Sequence, residues 1–229
     1  MSRDDRSESL WEYEARLERS SAGGAADVES AMELYRPFGP LIARLSAPDE
    51  IVEAANRYVD RFVTRAGDPL NEDGSGIVVG TFRVPPDGIV GPLHDWCARA
   101  IADYVRHADG PPGEVRFEAF WVVRQGEHTF SPVHFHSTDV AGVMYLKVPD
   151  VVAEGRAPGN YITARRGGAI TFLAGGRQSL AKSYVSFTPR VGDVLVSPAW
   201  LLHAVEPFDG PGERRSLAFN AAVIKPSGP

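Results

Sequence analysis

Cysteine is almost missing from this chain: Cys97 is the only one in 229 residues. No intramolecular disulfide can form, and no cysteine-built zinc site can be assembled. Long apolar runs are missing as well. Nothing approaches the roughly 20 apolar residues that a membrane span requires, and the charged stretch from Arg3 to Arg19 contains no apolar signal core. Positive charge is not in excess either. The formal net charge of −6 argues against binding to a phosphate backbone as the main business. There is no internal repeat and no low-complexity tail. These absences set the expectation of a cytoplasmic enzyme or binding protein that handles a small molecule rather than nucleic acid or a membrane. A homodimer is left open.

What is present suits a globular domain, with 43% hydrophobic and 24% charged residues. Residues 1–25 read as a polar arm with a short helical pattern (Leu10, Tyr13, Leu17), broken by Ser20-Ser21-Ala22-Gly23-Gly24. The rest, 26–229, reads as one catalytic domain with a helical N-terminal part, 26–112, and a β-rich part, 113–225. Residues 28–35 are expected to form one or two helical turns, and 41–45 a short strand. Behind Pro48-Asp49, the positions Ile51, Ala55, Tyr58 and Phe62 share one helical face, in a helix expected to end near Thr64. A strand over 77–84 and a second amphipathic helix from about Val90 follow, the latter carrying Leu93, Cys97, Ile101 and Tyr104. After Gly110-Pro111-Pro112-Gly113 the texture changes. Short strand-like segments at 115–124, 133–148, 159–163, 169–173, 184–188, 194–197, 202–206 and 216–224 alternate with Gly and Pro clusters, the pattern of a sandwich or barrel.

The chemistry concentrates in two of these segments. Pro132-Val133-His134-Phe135-His136 places two histidines at i and i+2, which in a strand project from one face. Phe135 between them is expected in the other layer, as core. A third histidine, His203, follows Gly192-Asp193 and Pro198. In a jelly roll, strands remote in sequence lie side by side, so His203 can close on the first pair. Next comes Arg214-Arg215-Ser216-Leu217-Ala218-Phe219-Asn220. Arg214 and Ser216 share a strand face, and a guanidinium beside a hydroxyl suits a carboxylate. Arg215 alternates to the other side and reads as solvated. For each residue there is a plainer role: the histidines as hydrogen-bonded strand residues, Arg214 as a surface partner of Glu213, Cys97 and Trp121 as packed core.

The ordered set Pro132-x-His134-x-His136, Ala141-Gly142-Val143-x-Tyr145-Leu146, Gly192-Asp193, Pro198, His203-x-Val205 and Arg214-x-Ser216-x-x-Phe219-Asn220 resembles the iron(II)- and 2-oxoglutarate-dependent oxygenases. The resemblance runs across roughly residues 40–224. It implies a mainly β fold, a double-stranded β-helix (cupin-like jelly roll) with N-terminal helices packed on it. It implies Fe(II) as cofactor, with 2-oxoglutarate and O2 as co-substrates. The far carboxylate of 2-oxoglutarate would meet Arg214, with Ser216 and Tyr145 beside it. A C–H bond of a small-molecule substrate would be oxidised, with succinate and CO2 released. Trp200, Asn220 and His128 are candidates for the substrate pocket.

The chain departs from the usual pattern of two histidines and one carboxylate at His136, where Asp or Glu is common. Three ligand sets stay open: His134, His136 and His203 together; His134 and His203 with water, His136 standing behind them; or His136 and Asp139 as the first-strand ligands, with a turn between them. Two other classes also remain. A metal-dependent cupin, an isomerase or a 2-oxoglutarate-independent dioxygenase, shares His-x-His and the later Pro189-x-x-Gly192…His203. A non-catalytic ligand-binding relative keeps the fold alone. Arg214-x-Ser216 separates the first reading from the cupin, because cupin chemistry does not require it.

Overall fold

A computed structural model describes residues 32–35, 39–66, 79–84, 91–111, 113–155, 167–176 and 183–225. The expected arm at 1–25 and strand at 159–163 lie outside them. The elements run β1 (Glu33–Tyr35), β2 (Ile42–Ser46), α1 (Asp49–Ala66), β3 (Val79–Val84), α2 (Pro92–His107), β4 (Glu114–Gln125), β5 (Ser131–His134), β6 (Val140–Lys147), α3 (Asp150–Ala153), β7 (Ile170–Leu173), β8 (Tyr184–Phe187), β9 (Asp193–Pro198), β10 (Leu202–Val205) and β11 (Arg214–Ile224).

Two antiparallel sheets result, with orders β1-β2-β9-β6-β11-β4-β3 and β5-β10-β7-β8. This is the expected double-stranded β-helix, in which strands remote in sequence become neighbours. Alternation along each central strand of the larger sheet sorts its side chains. Phe120 and Val122 of β4, Met144 and Leu146 of β6, Val194 and Val196 of β9, and Leu217 and Phe219 of β11 form one buried core with the helices. The intervening residues, Trp121 and Val123, Val143 and Tyr145, Leu195 and Ser197, and Ser216 and Ala218, line a cavity shared with the smaller sheet. Strands covered on both faces read as nearly continuous apolar runs, as these do.

The helices close the outer face. α1 presents Ile51, Val52, Ala55 and Val59 to the core, and α2 presents Leu93, Cys97, Ala100, Ile101, Tyr104 and Val105. Each fully buried large aliphatic side chain contributes roughly 1.5–3 kcal/mol. α2 starts where Pro92 supplies a preset φ at the first turn and ends with Arg106 and His107 against the negative end of the helix dipole. Burial pushes the Cys97 thiol up to about 12, so it stays protonated and inert in the core.

Three expectations need correction. Residues 33–35 form β1 rather than a helical turn. They pair with the free edge of β2, and the ring of Tyr35 packs edge-on against Phe187 with centroids 4.9 Å apart. The segment 133–148 is not one strand: it splits into β5 and β6, which belong to different sheets. The turn-forming Ser137-Thr138-Asp139 makes the crossing, tied by His136 N–H to the Ala199 carbonyl (2.8 Å) and Ala199 N–H to the Asp139 carbonyl (3.1 Å). Phe135, on the outward side of that crossing, is 62% exposed rather than core.

Candidate metal and anion site

The cavity between the sheets has a volume of about 310 Å³, within the range of small-molecule pockets. His134, His136 and His203 meet at one end of it. β10 pairs with β5 so that His203 lies directly opposite His134. His136, two residues on, projects to the same side. Ring centroids are 4.3 Å apart for His134 and His203, and 5.2 Å for each of the pairs with His136. One ring nitrogen from each falls within 4.8 Å of the others, a triangle that fits a single metal ion.

Main-chain carbonyls set two of the three rings. His134 Nδ1 donates to Pro132 O at 2.7 Å, and His203 Nδ1 donates to Leu201 O at 2.9 Å. In both, the proton sits on Nδ1 and leaves Nε2 with a lone pair toward the cavity. Burial lowers His136 to about 4, and His203 and His134 push the same way. Burial also lowers His203, opposed by the Leu201 carbonyl and helped by His134. His136 and His203 are therefore neutral near pH 7, the state a metal needs.

Asp139 is engaged elsewhere. Its Oδ2 accepts from Val223 N–H of β11 at 2.8 Å, and it is not among the side chains whose ligand atoms converge with the histidines. The side-chain geometry thus brings the three histidines together and leaves Asp139 on the sheet.

Arg214 enters the same cavity from β11 and is only 1% exposed. Burial pulls it down to about 10, opposed by Tyr145 and Glu206, so it is charged at neutral pH. No described carboxylate forms an ion pair with it, and the alternative of a partnership with Glu213 falls to its neighbour. Arg215, expected in solvent, is 3% exposed. It pairs with Asp60 of α1 at 2.7 Å and with Glu213 at 2.9 Å. The strand parity was legible; the helix that covers this side was not. Tyr145 stands directly across from Ser216 in the β6–β11 ladder, and both line the cavity. Among the described residues the buried Tyr145 hydroxyl has no hydrogen-bond partner. Burial holds its pKa up, with Arg214 opposing. A buried cation and an unpartnered buried hydroxyl in one wall call for an anion that accepts from both.

The remaining pocket candidates lie elsewhere. Trp200 is 60% exposed in the turn after β9. Asn220 has a buried Oδ1 with no hydrogen-bond partner among the described residues, but it is not in the cavity lining. His128 is an exposed turn residue at φ 64° whose Nε2 pairs with Asp209 at 2.8 Å. With Glu127 it makes a second group of converging ligand atoms, outside the cavity. Sequence reading had placed Trp121 in the core, yet it lines the cavity with its ring 5.3 Å from His136. The period-2 alternation of β4, with Phe120 and Val122 inward to the helices, was the signal for this. Gln125 was not singled out at all.

Residues 119–220 match the family described as "Putative 2OG-Fe(II) oxygenase". The fold is shared with solved structures at low identity. HygX from Streptomyces hygroscopicus, with nickel and 2-oxoglutarate bound, aligns at TM-score 0.54 and 13% identity over 80% of this chain and 82% of its own. The carbocyclase SnoK from nogalamycin biosynthesis aligns at 0.57 and 14% over 87% of each chain. The prolyl hydroxylase vCPH from Paramecium Bursaria Chlorella virus-1, in its 2-oxoglutarate complex, aligns at 0.51 and 14% over 80% and 96%. No curated protein sequence matches this chain. The matched segment, which carries the three histidines and Arg214, is thus similar to 2-oxoglutarate- and Fe(II)-dependent oxygenases.

Proposed function

We propose that this chain oxidises a C–H bond of a small molecule, by hydroxylation or a related outcome, and releases succinate and CO2. His134, His136 and His203 hold the iron, and Arg214, Tyr145 and Ser216 hold the far carboxylate of 2-oxoglutarate. One observation carries the reading: a buried, charged Arg214 and an unpartnered Tyr145 hydroxyl share a cavity with three converging histidines. The donor sets fit both groups. Neutral imidazoles suit a borderline divalent ion, and a guanidinium with a phenol suits a carboxylate.

When bound, iron and 2-oxoglutarate supply the oxidising chemistry. The chain's residues bind, orient and shield. The Pro132 and Leu201 carbonyls keep the Nε2 atoms of His134 and His203 facing the cavity. Arg214, fixed in the strand, sets how far the co-substrate reaches along it. Val123, Val143, Ile170, Phe172 and Leu195 line the space between, which keeps water from the reacting centre. Cupin chemistry does not require a buried cation at this depth.

The test is succinate release from 2-oxoglutarate after anaerobic Fe(II) loading, in wild type and Arg214→Ala. Turnover is expected in wild type, with kcat/KM for 2-oxoglutarate lower by at least roughly 100-fold in the variant, the scale of a broken buried ion pair. If 2-oxoglutarate neither binds nor turns over with any metal, the reading is wrong.

A further inference from the structure

Among the described residues, every hydrogen bond that Arg214 donates goes to a neutral acceptor. Nη1 donates to Gly168 O at 2.7 Å and to Glu206 O at 2.9 Å. Nη2 and Nε donate to Gln125 Oε1 at 2.8 and 3.3 Å. A guanidinium has five N–H groups. These four bonds leave one, on Nη2, for anything that enters the cavity. A bidentate fork on a carboxylate is thus not on offer, and the second donor at that end is the Tyr145 hydroxyl.

Gln125 occupies the position opposite Arg214 in the β4–β11 ladder and is 4% exposed. Its amide is fixed from both sides. Arg214 has only donors, so Oε1 must face it, and Nε2 donates to Ser131 Oγ at 3.3 Å. A glutamate here would keep the shape and the bonds to Arg214 but would cancel its charge from within. Glutamine orients the guanidinium without placing a negative charge against it.

We propose that Gln125 is a positioning and specificity-determining residue. By holding Arg214 through an uncharged acceptor, it reserves that cation for the carboxylate of the co-substrate. The proposal rests on the co-substrate assignment made above. Gln125 also lines the cavity, and its charge would therefore face the incoming anion directly, in a wall where water does not screen it.

The experiment is calorimetric binding of 2-oxoglutarate, and of 2-oxopentanoate, which lacks the far carboxylate, to full-length protein loaded with Mn(II) in place of iron. Wild type, Gln125→Glu, Gln125→Met and Arg214→Met are compared, and the Tm of each metal-free protein is measured. Gln125→Glu is expected to weaken 2-oxoglutarate by roughly 30-fold or more, the scale of a charged hydrogen bond. It should leave 2-oxopentanoate within about threefold, and raise the metal-free Tm because Arg214 gains a partner. Gln125→Met, which removes the acceptor without adding charge, should cost roughly 10-fold and lower Tm. A merely structural role predicts that affinity follows Tm across the series. If Gln125→Glu binds 2-oxoglutarate as wild type does, while Arg214→Met does not, the role of Gln125 is wrong and the co-substrate assignment stands. If wild type does not prefer 2-oxoglutarate over 2-oxopentanoate, the assignment itself fails, and this proposal with it.

Discussion

At one end of the cavity, three histidines hang from short strands of the four-stranded sheet and its adjoining turn, partly open to solvent, with carbonyls two residues earlier fixing two of the rings. At the other end, Arg214 and Tyr145 sit in the central strands of the seven-stranded sheet, fully buried, and Arg214 is held by residues 8, 46 and 89 positions away. The histidine end is local: spacing and strand parity do most of its work. The arginine end is global: it exists only once β4, β7, β10 and β11 have docked. Damage at the first should cost metal and leave the fold. Damage at the second should cost the anion site and the fold together, unless the change is nearly isosteric.

The largest expected effect lies at the histidine end. His203→Ala should weaken Mn(II) or Fe(II) binding by at least roughly 100-fold, more than the loss of an outer partner costs. Metal-free Tm should hold or rise, because the crowded imidazoles lose one member. Equilibrium metal titration and thermal melts check both. A variant that unfolds instead would show that the histidine end is as global as the arginine end.

Gly142→Ala probes the second region without touching its polar groups. A Cβ at this position would overlap the ring of Phe219, in the layer between the larger sheet and the helices. Overpacking of this kind costs about 1–3 kcal/mol, read as a drop in denaturant midpoint with an unchanged m-value. Because β6 carries both Gly142 and Tyr145, affinity for 2-oxoglutarate should fall alongside stability. The metal affinity of the histidines should stay within a fewfold.

Tyr145→Phe is a finer cut. Removing a buried hydroxyl that has no partner relieves an unmet desolvation cost of about 1 kcal/mol, so the metal-free protein should become more stable. If the hydroxyl holds the co-substrate, 2-oxoglutarate should bind roughly 5- to 10-fold more weakly at the same time. Opposite signs in the two measurements are the expected outcome. A gain in stability with unchanged affinity would remove Tyr145 from the anion site and leave it in the wall as packing.

The contrast between the two ends also explains what the sequence made legible. Pro132-x-His134-x-His136 and His203 could be read because period-2 parity survives translation into structure, even though His136 falls just past the end of β5. The β-rich half could be read from its Gly and Pro punctuation. Three kinds of feature could not. Whether a parity face is solvent or helix is a tertiary fact, and it misled for Arg215 and for Phe135 in opposite directions. Whether a short apolar piece such as 33–35 pairs with a sheet depends on an edge being free, here that of β2. And Gln125 acquires meaning only through a partner 89 residues away. Trp121 belongs to a fourth kind, in which the signal was present: its neighbours Phe120 and Val122 alternate to the opposite face.

Acidification separates the ends more weakly. His136 is held near 4 when folded, against 6.5 when free. As pH falls below about 6.5, the unfolded chain takes up this proton first, so stability present above that value is progressively lost down to about 4 and then levels. His203, also lowered, adds in the same direction. The Tm of metal-free wild type should therefore fall between pH 6.5 and 4, and the fall should be shallower in His136→Ala. Bound metal should flatten the upper part of the curve, because ligated imidazoles resist protonation. An identical pH slope in His136→Ala would mean that the ring is not the buried, neutral group described.

The smallest effect expected is also the one that bears most on the ligand set. Asp139 sits three residues past His136, and its carboxylate caps Val223 N–H at the end of β11. On this geometry Asp139→Ala should cost no more than about 1 kcal/mol, one hydrogen bond to a partly solvated amide, and leave metal affinity unchanged. His136→Ala should lose metal while keeping stability. The reverse pattern, iron lost in Asp139→Ala and retained in His136→Ala, would require residues 137–139 to re-form around the ion and turn the carboxylate away from β11. That rearrangement would break the Val223 bond, so it should appear in hydrogen exchange as new exposure of the Val223 amide on metal loading. Protection of that amide with metal bound, together with retention of metal in Asp139→Ala, would keep the site all-histidine. A neutral ligand set leaves the ion its full positive charge beside a cavity whose far end already holds the charged Arg214. Both ends would then attract a dianionic co-substrate, one at each carboxylate, and the short link between them would set its length.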